Sequence, residues 1–555
     1  MNYNPKYKKI TGIILIVIVI CLILTGIIVN KLIKKTDGQI AENWFFEESL
    51  RTGQPVLLND AFVVADGEGT LSFIYDYVTY EVDGNLKEPY VGVANILIEG
   101  DKIAKISIKP DNVEAVLHSY TENTICLEEI GDLTRNLSVP IYKLSDEKVK
   151  QVEWNELVVG VSKIRCIFES ESVSAIIIEE EVIPSDIRVI IKNGSTIFYD
   201  NFIVQKVSDG TYININDTML ANNITQLELE DATGLLLCDM TGQPMESAYE
   251  GTFCIVRTEN GYVLVNEVPM ETYVKYVIPS EMQADFGHEA LKAQAVCART
   301  YAYSQMRNQS YAMYGANLDD STAFQVYHNT GRYPETDAAV DETAGEVISC
   351  NGELITCYYY STSPGVTNDM TSWENVNPVY VQVQGMEQLN GLDLTNSVDF
   401  STYMRDETEC FDKASPLYRW KAILNLSEIK EPEYGALKSL QVVKRNEAGY
   451  VIGLELVYEN ETITLKNENT IRNVLGKYLQ ETILNNESVR TNFTMIPSAC
   501  FEVVEQSDGK VVLRGGGFGH GIGMSQYGAK AMSEAGYGYK DIIGYYYANV
   551  VVKAL

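Results

Sequence analysis

The sequence predicts an α+β protein with an N-terminal transmembrane helix, a β-rich domain behind it and a mixed α+β region after that. Three observations carry this prediction: an uncharged apolar run near the N-terminus, many short β-type runs separated by turn residues, and a long stretch without Gly or Pro that begins near His288. The predicted parts are a cytoplasmic stub with anchor at 1–36, a β-rich domain at 37–182 and the α+β region at 183–555.

The apolar run extends from Ile10 to Val29 and contains no charged residue. As a helix it has the length needed to cross roughly 30 Å of hydrocarbon. Its apolar core is longer than that of a signal peptide, and the following NKLIKK has no small-residue cleavage site. Lysines flank both ends in equal number, so charge alone does not set the orientation. We expect an uncleaved single-pass anchor in the cell membrane.

Composition narrows the classes of partner. The formal net charge is −33, which argues against nucleic acid as a ligand. The 36 tyrosines against 15 phenylalanines favour amphipathic surfaces that stack on sugars or peptides, with half-buried sheet faces as the other interpretation. The 10 cysteines form neither a CxxC pair nor a regular disulfide framework, so we expect most to be small buried apolar residues.

The domain at 37–182 is predicted from its β-type runs, and it contains no recognisable catalytic cluster. We expect a spacer, partner-binding or regulatory module. The runs are AFVVAD, TLSFIYDYVTYEV, YVGVANILIEG, KIAKISIK and SAIIIEEEVI.

The region at 183–555 begins with short antiparallel pieces, for which Asn193-Gly194, Asn260-Gly261 and Asn351-Gly352 are predicted turns. The strongest predicted helix is HEALKAQAVCARTYAYSQMRNQ, which is rich in helix-forming residues. Further helices are predicted over ENTIRNVLGKYLQETIL, over GMSQYGAKAMSEA and near Asp541.

Two long blocks in this region resemble the signature blocks of the SpoIID/LytB family of peptidoglycan lytic transglycosylases. They are VPMETYVKYVIPSEMQADFGHEALKAQAVCARTYA and GGGFGHGIGMSQYGAKAMSEAGYGYKDIIGYYY. Between them, YYYSTSPGVTNDMTSWEN and TIRNVLG resemble the family's intermediate blocks in the same order. The resemblance covers roughly Asp186 to the C-terminus. It implies a catalytic region with an active-site cleft outside the cytoplasm, acting on peptidoglycan glycan strands.

The resemblance implies that Glu281 is the single essential acid and base for cleaving the MurNAc-GlcNAc bond without water. A protonated carboxyl gives its proton to the glycosidic oxygen, and the carboxylate then takes one from the sugar's 6-hydroxyl, which closes a 1,6-anhydro ring. The residues alone also fit a helix start, because Ser280 with Gln283 has the pattern of a capping box. A helix N-terminus would lower the pKa of Glu281, so burial against Phe286 or Tyr273 would have to raise it.

The predicted helix contains two pairs of residues at a spacing that places each pair on one face. Such faces could hold the carboxylate and acetamido groups of a glycan strand, and a solvated basic stripe is the alternative. The four candidates for substrate binding are Lys292, Gln294, Arg299 and Tyr301.

The Gly-rich run FGHGIGMSQYG offers a backbone that could approach a ligand closely, together with side chains that hydrogen-bond or stack on sugars. A purely structural role is the alternative for its histidine, and an edge-strand turn is the alternative for the two upstream serines. The candidates are His520, Ser525, Gln526 and Tyr527 in the run, and Ser361 and Ser363 in YYYSTSPG.

No metal or other cofactor is expected. The segment STAFQVYHNTG contains His328 but no cysteine, so the usual four-ligand zinc set cannot be assembled locally. His288 and His328 are expected to be surface or hydrogen-bonded histidines.

Two other functions remain open. A Ser-His-Asp or Cys-His hydrolase would use His520 with Ser525 or Cys297, but no GxSxG elbow follows a strand. The chain could also be a non-catalytic wall-binding protein or an enhancer of an N-acetylmuramoyl-L-alanine amidase, a role that the LytB side of the family implies. A wall amidase is therefore an expected partner. The sequence does not decide between sporulation, division and wall remodelling.

Overall fold

The computed structural model describes residues 44–555 apart from 66–69, 84–85, 87, 137, 146–147, 223–224, 406–408, 426–429, 432 and 508–509. The predicted anchor Ile10–Val29 lies outside the described residues and stays a prediction. Among the helices that are described, none is long and apolar enough to cross a membrane. The described chain is α+β and rich in strands. It divides into two compact units, the first ending at Val182 and the second running from Ile183 to Leu555.

In the described part of the first unit the first element is the helix Trp44–Thr52, whose buried Phe45 packs edge-on against Tyr80 at 4.9 Å between ring centroids. The predicted run TLSFIYDYVTYEV folds as a hairpin, because Asp76 and Tyr77 adopt the positive φ angles of a tight turn. In spatial order, the five strands of this sheet are Val78–Asp83, Thr70–Tyr75, Val56–Ala65, Tyr90–Glu99 and Lys102–Ile108.

A seven-stranded sheet completes the first unit, and a short 3-10 helix at Trp154–Glu156 precedes two of its strands. Asp60 links the two sheets, since its carboxylate pairs with Lys109 at 2.5 Å and accepts the Ser174 hydroxyl at 2.8 Å. In spatial order the strands are Lys148–Val152, Ile141–Ser145, Ser172–Glu181, Ser162–Glu169, Asn112–Tyr120, Thr124–Leu127 and Gly131–Thr134.

The second unit begins with two sheets. The hairpin predicted at Asn260-Gly261 is present and joins Thr252–Thr258 to Gly261–Pro269, with Glu259 and Asn260 as its two loop residues. The five-stranded sheet contains Gln226–Glu230, Thr252–Thr258, Gly261–Pro269, Asp186–Ile191 and Leu318–Asp319 in spatial order. The three-stranded sheet contains Tyr212–Asn214, Ile203–Lys206 and Leu235–Cys238, with the helix Ile215–Asn222 after its second strand in the chain.

The helix His288–Gln305 is central to the second unit and confirms the strongest helix prediction. Its residues from Ala290 to Ala302 are buried with the sole exception of Lys292, because other elements pack on several sides of it. It contacts the helices Met270–Glu281, Pro334–Glu342, Gln526–Glu534 and Tyr539–Tyr546 and the strand Glu346–Cys350.

The remaining strands form four small sheets, which include the predicted Asn351-Gly352 hairpin. Helices Ser397–Arg405 and Glu468–Gly476 and 3-10 turns Ala312–Tyr314, Met370–Trp373 and Met386–Leu389 complete the unit. The sheets are Val489–Arg490, Leu479–Leu484, Trp420–Asn425, Lys510–Gly515 and Phe501–Ser507; Lys430–Glu431, Gly435–Arg445, Val451–Tyr458 and Thr462–Leu465; Glu353–Leu354, Glu346–Cys350 and Val551–Ala554; and Tyr359–Tyr360 with Met524–Ser525.

The prediction of one helix over ENTIRNVLGKYLQETIL is wrong in its second half. The helix ends at Gly476, and Leu479–Leu484 is a strand that pairs with Trp420–Asn425. Gly476 lies against the backbone of Thr494, where any Cβ would collide. The β-branched residues that follow then complete a sheet rather than a helix. The nine cysteines in the described residues are all free thiols.

Candidate functional site

Glu281 is the last residue of the helix Met270–Glu281, so the prediction that it begins a helix is wrong. Ser280 does not cap an N-terminus. Its hydroxyl donates back to the Tyr276 carbonyl at 2.7 Å and accepts the amide of Asn329 at 3.1 Å. The partial negative charge of a helix C-terminus disfavours a carboxylate there, so the helix end helps to hold Glu281 in its protonated form.

The Glu281 carboxyl lies among three tyrosines and one backbone amide. Val326 N donates to its Oε1 at 2.8 Å. Burial raises the pKa values of Tyr273, Tyr301 and Tyr359, and the negative charge of Glu281 adds a smaller contribution to each, so all three phenols lie within range of this charge. Burial raises the pKa of Glu281 to about 7, against the opposing effect of the Val326 hydrogen bond. The residue nevertheless keeps part of its surface exposed. It is therefore a carboxyl that can donate or accept a proton near neutral pH and that a ligand can reach.

The segment from Gln325 to Asn329 forms one wall of this site. Gln325 accepts a hydrogen bond from the Tyr273 hydroxyl at 3.1 Å and donates to the Tyr359 hydroxyl at 2.8 Å. His328 stacks on Tyr249 at 3.9 Å between ring centroids. Reasoning from the sequence considered this segment only for metal ligands and missed Gln325. A buried amide between aromatic residues gives no local signal of its partners.

The prediction that Arg299 contacts substrate is wrong, because the residue is fully buried. Its guanidinium makes two hydrogen bonds to the Glu271 carboxylate, at 2.7 and 2.6 Å, and one to the Glu346 carbonyl at 3.0 Å. Glu271 lies in the first turn of the helix that ends at Glu281. Arg299 therefore anchors the helix that carries the candidate acid.

The other three residues of the predicted helix faces have different environments. Lys292 pairs with Glu289 at 3.5 Å and Glu342 at 3.4 Å, partners that differ from the groups around Glu281. Gln294 is fully buried, which contradicts direct contact with a glycan in this conformation. Burial, then Tyr358 and then the charge of Glu281 raise the pKa of Tyr301, so this phenol lies within range of that carboxyl, but the residue is buried.

His520 uses both ring nitrogens to hold backbone. Its Nδ1 accepts the Ile522 amide at 3.0 Å, so the proton is on Nε2, which donates to the Tyr359 carbonyl at 3.0 Å. Burial, followed by the positive charge of Arg472, lowers the pKa of His520 to about 3. The ring is therefore neutral and already fully bonded. It holds the strand that carries Tyr359 and is not free to activate Ser525 or Cys297.

Asp412, which the sequence reasoning missed, accounts for two of the predicted serines. Its carboxylate accepts the hydroxyl of Ser525 and the amide of Ser363, the latter at 2.8 Å. Burial raises its pKa to about 7 although these hydrogen bonds, and one from the Gly528 amide, oppose the shift. Ser363 and Ser525 are both buried and are structural, which removes the Ser-His hydrolase alternative. The carbonyl of Ser361 accepts the Tyr527 amide at 3.0 Å and ties the same two loops together.

The other two predicted binding residues of the Gly-rich run are Gln526 and Tyr527. Gln526 is buried at the first position of the helix Gln526–Glu534. Tyr527 keeps part of its ring exposed and packs edge-on against Phe286 at 4.9 Å between centroids. Phe286 therefore supports Tyr527 rather than the Glu281 carboxyl.

The glycines of this run allow the loop to approach its own protein rather than a ligand. Gly523 has φ +80°, and a Cβ there would collide with the carbonyl of Tyr358. At Gly517, a Cβ would lie 2.8 Å from the carbonyl of Thr362. The loop is thus pressed against the strand segment that carries Tyr359.

No group of three or more His, Cys, Asp or Glu side chains in the described part of the chain is arranged to hold a metal ion. His288 is exposed and hydrogen-bonds Glu342 at 2.9 Å. His328 is buried, with its Nε2 at 3.2 Å from the carbonyl of Ala248.

Comparison with known proteins gives a consistent result. Residues 258–349, which include Glu281, the helix His288–Gln305 and Gln325, match the family model described as SpoIID, Stage II sporulation protein. The chain is 31% identical over 297 residues to the amidase enhancer of Bacillus subtilis (strain 168), a match that covers 50% of this chain and 40% of that protein. The chain therefore spans less than half the length of that relative.

Two further relatives are covered more fully. Stage II sporulation protein D of Bacillus subtilis (strain 168) is 28% identical over 314 residues, which cover 54% of this chain and 78% of the relative. An uncharacterized protein of Brachyspira hyodysenteriae (strain ATCC 49526 / WA1) is 28% identical over 309 residues, covering 54% and 71%. Together with the family match over residues 258–349, these similarities support a SpoIID-family assignment for this part of the chain.

Proposed function

We propose that this protein is a cell-wall lytic transglycosylase that cleaves the MurNAc-GlcNAc bond of peptidoglycan glycan strands, with Glu281 as general acid and base. The observation that carries the proposal is the Glu281 carboxyl itself. The residue is partly exposed, burial raises its pKa to about 7, and its Oε1 accepts the Val326 amide at 2.8 Å. A group with this pKa exists in both protonation states near neutral pH, as a residue that first gives and then takes a proton must.

The chemistry requires two proton transfers at one carboxyl. Protonated Glu281 gives its proton to the glycosidic oxygen while the bond to the MurNAc anomeric carbon breaks. The resulting carboxylate removes the proton of the MurNAc 6-hydroxyl, whose oxygen then bonds to the same carbon. The products are a free GlcNAc end and a 1,6-anhydroMurNAc end. Water takes no part, so the second carboxylate that glycoside hydrolases normally use to direct water or to form a covalent intermediate is not needed.

The surroundings of Glu281 support both states. The low-polarity phenol rings and the helix C-terminus favour the protonated carboxyl before the first transfer. The Val326 amide, 2.8 Å from Oε1, stabilises the carboxylate that the transfer leaves behind. Tyr527 keeps part of its ring exposed, as a residue that stacks on a sugar must.

The proposal includes the cellular setting. Ile10–Val29 anchors the chain in the cell membrane, and the region from Ile183 lies outside the cytoplasm, where the glycan is. Sporulation is the process named in the family description. Peptide-stripped strands are the proposed substrate form, which makes a wall amidase the partner that prepares them.

A second candidate function follows from the relative named amidase enhancer. In that role the same region would bind wall glycan and increase the rate of an N-acetylmuramoyl-L-alanine amidase without cleaving glycan. Glu281 would then contribute to binding, and its proton transfers would have no consequence.

Mass analysis of the products distinguishes the two functions. Detergent-solubilised full chain is incubated with peptide-stripped glycan strands, with intact peptidoglycan, and with intact peptidoglycan plus a purified amidase. A lytic transglycosylase releases fragments with 1,6-anhydroMurNAc ends from stripped strands. An enhancer releases none and increases only the peptide yield of the amidase. Absence of anhydro ends in all three reactions would contradict the proposal.

A further inference from the structure

Gln325 occupies a position where each polar atom of its side chain has a partner. The residue is 1% exposed. Its Oε1 accepts the Tyr273 hydroxyl at 3.1 Å, and its Nε2 donates to the Tyr359 hydroxyl at 2.8 Å and to the Ala298 carbonyl at 3.2 Å. The amide therefore joins the helix Met270–Glu281, the helix His288–Gln305 and the strand Tyr359–Tyr360 at one point.

The orientation of this amide is determined by its partners. A backbone carbonyl only accepts hydrogen bonds, so the group facing Ala298 must be the NH₂ and the oxygen must face Tyr273. It follows that Gln325 donates to Tyr359 and cannot accept from it.

This arrangement decides where the Tyr359 proton points. The phenol oxygen receives a proton from Gln325, so its own O–H must point in another direction. In the part of the chain that the structure describes, that O–H has no other protein acceptor. Tyr359 keeps part of its surface exposed, and its hydroxyl is bonded to Gln325, whose neighbour Val326 donates to Glu281 Oε1 at 2.8 Å. Burial and then the negative charge of Glu281 raise the pKa of Tyr359. The strand cannot turn the ring away easily, because His520 holds the Tyr359 carbonyl and Met524 pairs with the residue.

We propose that Gln325 is a positioning residue, which turns the Tyr359 hydroxyl proton out of the protein and towards a ligand oxygen beside Glu281. Tyr359 then donates to a glycan hydroxyl, acetamido or ring oxygen. The proposal rests on the proposed function only in taking glycan as the ligand at Glu281. It does not depend on whether that glycan is cleaved.

Gln325→Glu is the informative substitution, because it retains shape and makes the hydrogen-bond pattern depend on pH. As a carboxylate, the new side chain only accepts, so it captures the Tyr359 proton and faces Ala298 with an oxygen. As a carboxylic acid, it again donates one proton to Tyr359 while accepting from Tyr273. Protonation therefore restores the native direction of the Tyr359 hydroxyl.

The first test measures turnover of stripped glycan from pH 5 to pH 8 for wild type, Gln325→Glu and Gln325→Leu. We expect the turnover rate of Gln325→Glu, divided by that of wild type, to be about tenfold or more below one at pH 8. At pH 5 this ratio should recover towards one. Gln325→Leu should show a low ratio that does not recover. Tyr327→Phe removes a neighbouring buried phenol hydrogen bond, to Asn266, and its ratio should not change with pH. A Gln325→Glu ratio independent of pH would overturn the proposal.

The second test does not require turnover. Binding of stripped glycan is measured by calorimetry in the Glu281→Gln background for Tyr359→Phe, Gln325→Leu and the double variant. Loss of one hydrogen bond to the ligand should weaken binding about 3- to 10-fold in each single variant. The double variant should be no weaker than the weaker single one, because both changes remove the same contact. Independent, multiplying effects, unchanged affinity, or no glycan binding in the parent would contradict the role of Gln325. If the wild type released no anhydro ends but the binding losses were still coupled, the proposed lytic activity would be wrong and the role of Gln325 would stand.

Thermal unfolding accompanies both tests. Gln325→Leu loses three buried hydrogen bonds, and Gln325→Glu retains most of them. If Gln325→Leu is unstable and Gln325→Glu is not, the role of Gln325 is tested by the pH dependence of Gln325→Glu and by the glycan affinity of Tyr359→Phe. If Tyr359→Phe binds stripped glycan as tightly as its Glu281→Gln parent, the proposal is contradicted, whatever the stability of the Gln325 variants.

Discussion

Glu281 and Asp412 are two carboxyls in the same unit with the same shifted acidity and very different surroundings. Burial raises the pKa of each to about 7. Asp412 is 4% exposed and accepts hydrogen bonds from the Ser525 hydroxyl and the Ser363 amide. Glu281 keeps part of its surface exposed and accepts one backbone amide, from Val326.

The difference shows that a raised pKa does not by itself identify an acid catalyst. Asp412 has its acceptor positions filled by groups that join two loops, so a ligand can neither reach nor displace them. Glu281 retains acceptor capacity and solvent access at the same acidity. Access and unused hydrogen-bonding capacity, rather than the pKa, distinguish the candidate catalytic group from the structural one.

The largest expected loss of stability is for Asp412→Ala. It leaves the Ser525 hydroxyl and the Ser363 amide buried without their acceptor, which should cost on the order of 3–5 kcal/mol of unfolding free energy. Urea unfolding at pH 7 measures this. Glu409→Ala is the control, because its side chain is 88% exposed and its ion pair with Lys413 should contribute less than about 1 kcal/mol. A loss for Asp412→Ala no larger than the control's would show that this carboxyl is not structural.

Arg299→Met should cost on the order of 2–4 kcal/mol, since it removes a fully buried guanidinium and leaves the partly exposed Glu271 carboxylate without its bidentate partner. Lys292→Ala is the matched basic residue on the same helix. Lys292 is itself partly exposed, and its ion pairs with Glu289 and Glu342 are longer, at 3.5 and 3.4 Å, so we expect a change within about 1 kcal/mol. Equal losses in thermal or urea unfolding would mean that the two cations have the same role, contrary to the structure.

Glu281→Gln should change stability in the opposite direction from Asp412→Ala, and only at higher pH. The folded pKa of Glu281 lies above its ordinary value of 4.5, so the folded state binds this proton more tightly than the unfolded state. The stability that the proton contributes is complete below about pH 4.5 and is lost as pH rises through about 7. The neutral amide avoids this loss. We expect Glu281→Gln to match wild type at pH 4.5 and to exceed it by about 1–3 kcal/mol at pH 8.

The same unfolding measurements can contradict this explanation of the raised Glu281 pKa. A variant less stable than wild type at pH 8 would mean that the carboxylate is held by favourable contacts in the folded state. The proposed cause of its acidity, burial among phenol rings, would then be wrong.

The sequence predicted what depends on local patterns. The helix His288–Gln305 follows from its composition, and the Asn260-Gly261 and Asn351-Gly352 hairpins follow from turn chemistry. Glu281 was selected through family resemblance, but its place at a helix end was not predicted. Pro279, Ser280 and Gln283 have the local pattern of a helix start, whereas the chain uses the proline inside the last turn.

The rest depends on contacts distant in sequence. Helical spacing placed Arg299 on a face but could not show that the face is buried, because its partner Glu271 is 28 residues upstream. Asp412 is 113 residues from Ser525 and belongs to no motif. Gln325 is 52 residues from Tyr273, so its role could be recognised only when three elements met.

The central claim is that Glu281 transfers protons, and Glu281→Gln tests it most directly. The amide retains shape and most hydrogen bonds but cannot give or take a proton. With peptide-stripped glycan strands at pH 7, the rate of release of 1,6-anhydroMurNAc ends should fall by about 10²–10⁴-fold while the affinity for glycan persists. Release of anhydro ends at the wild-type rate by a folded Glu281→Gln protein would contradict the account.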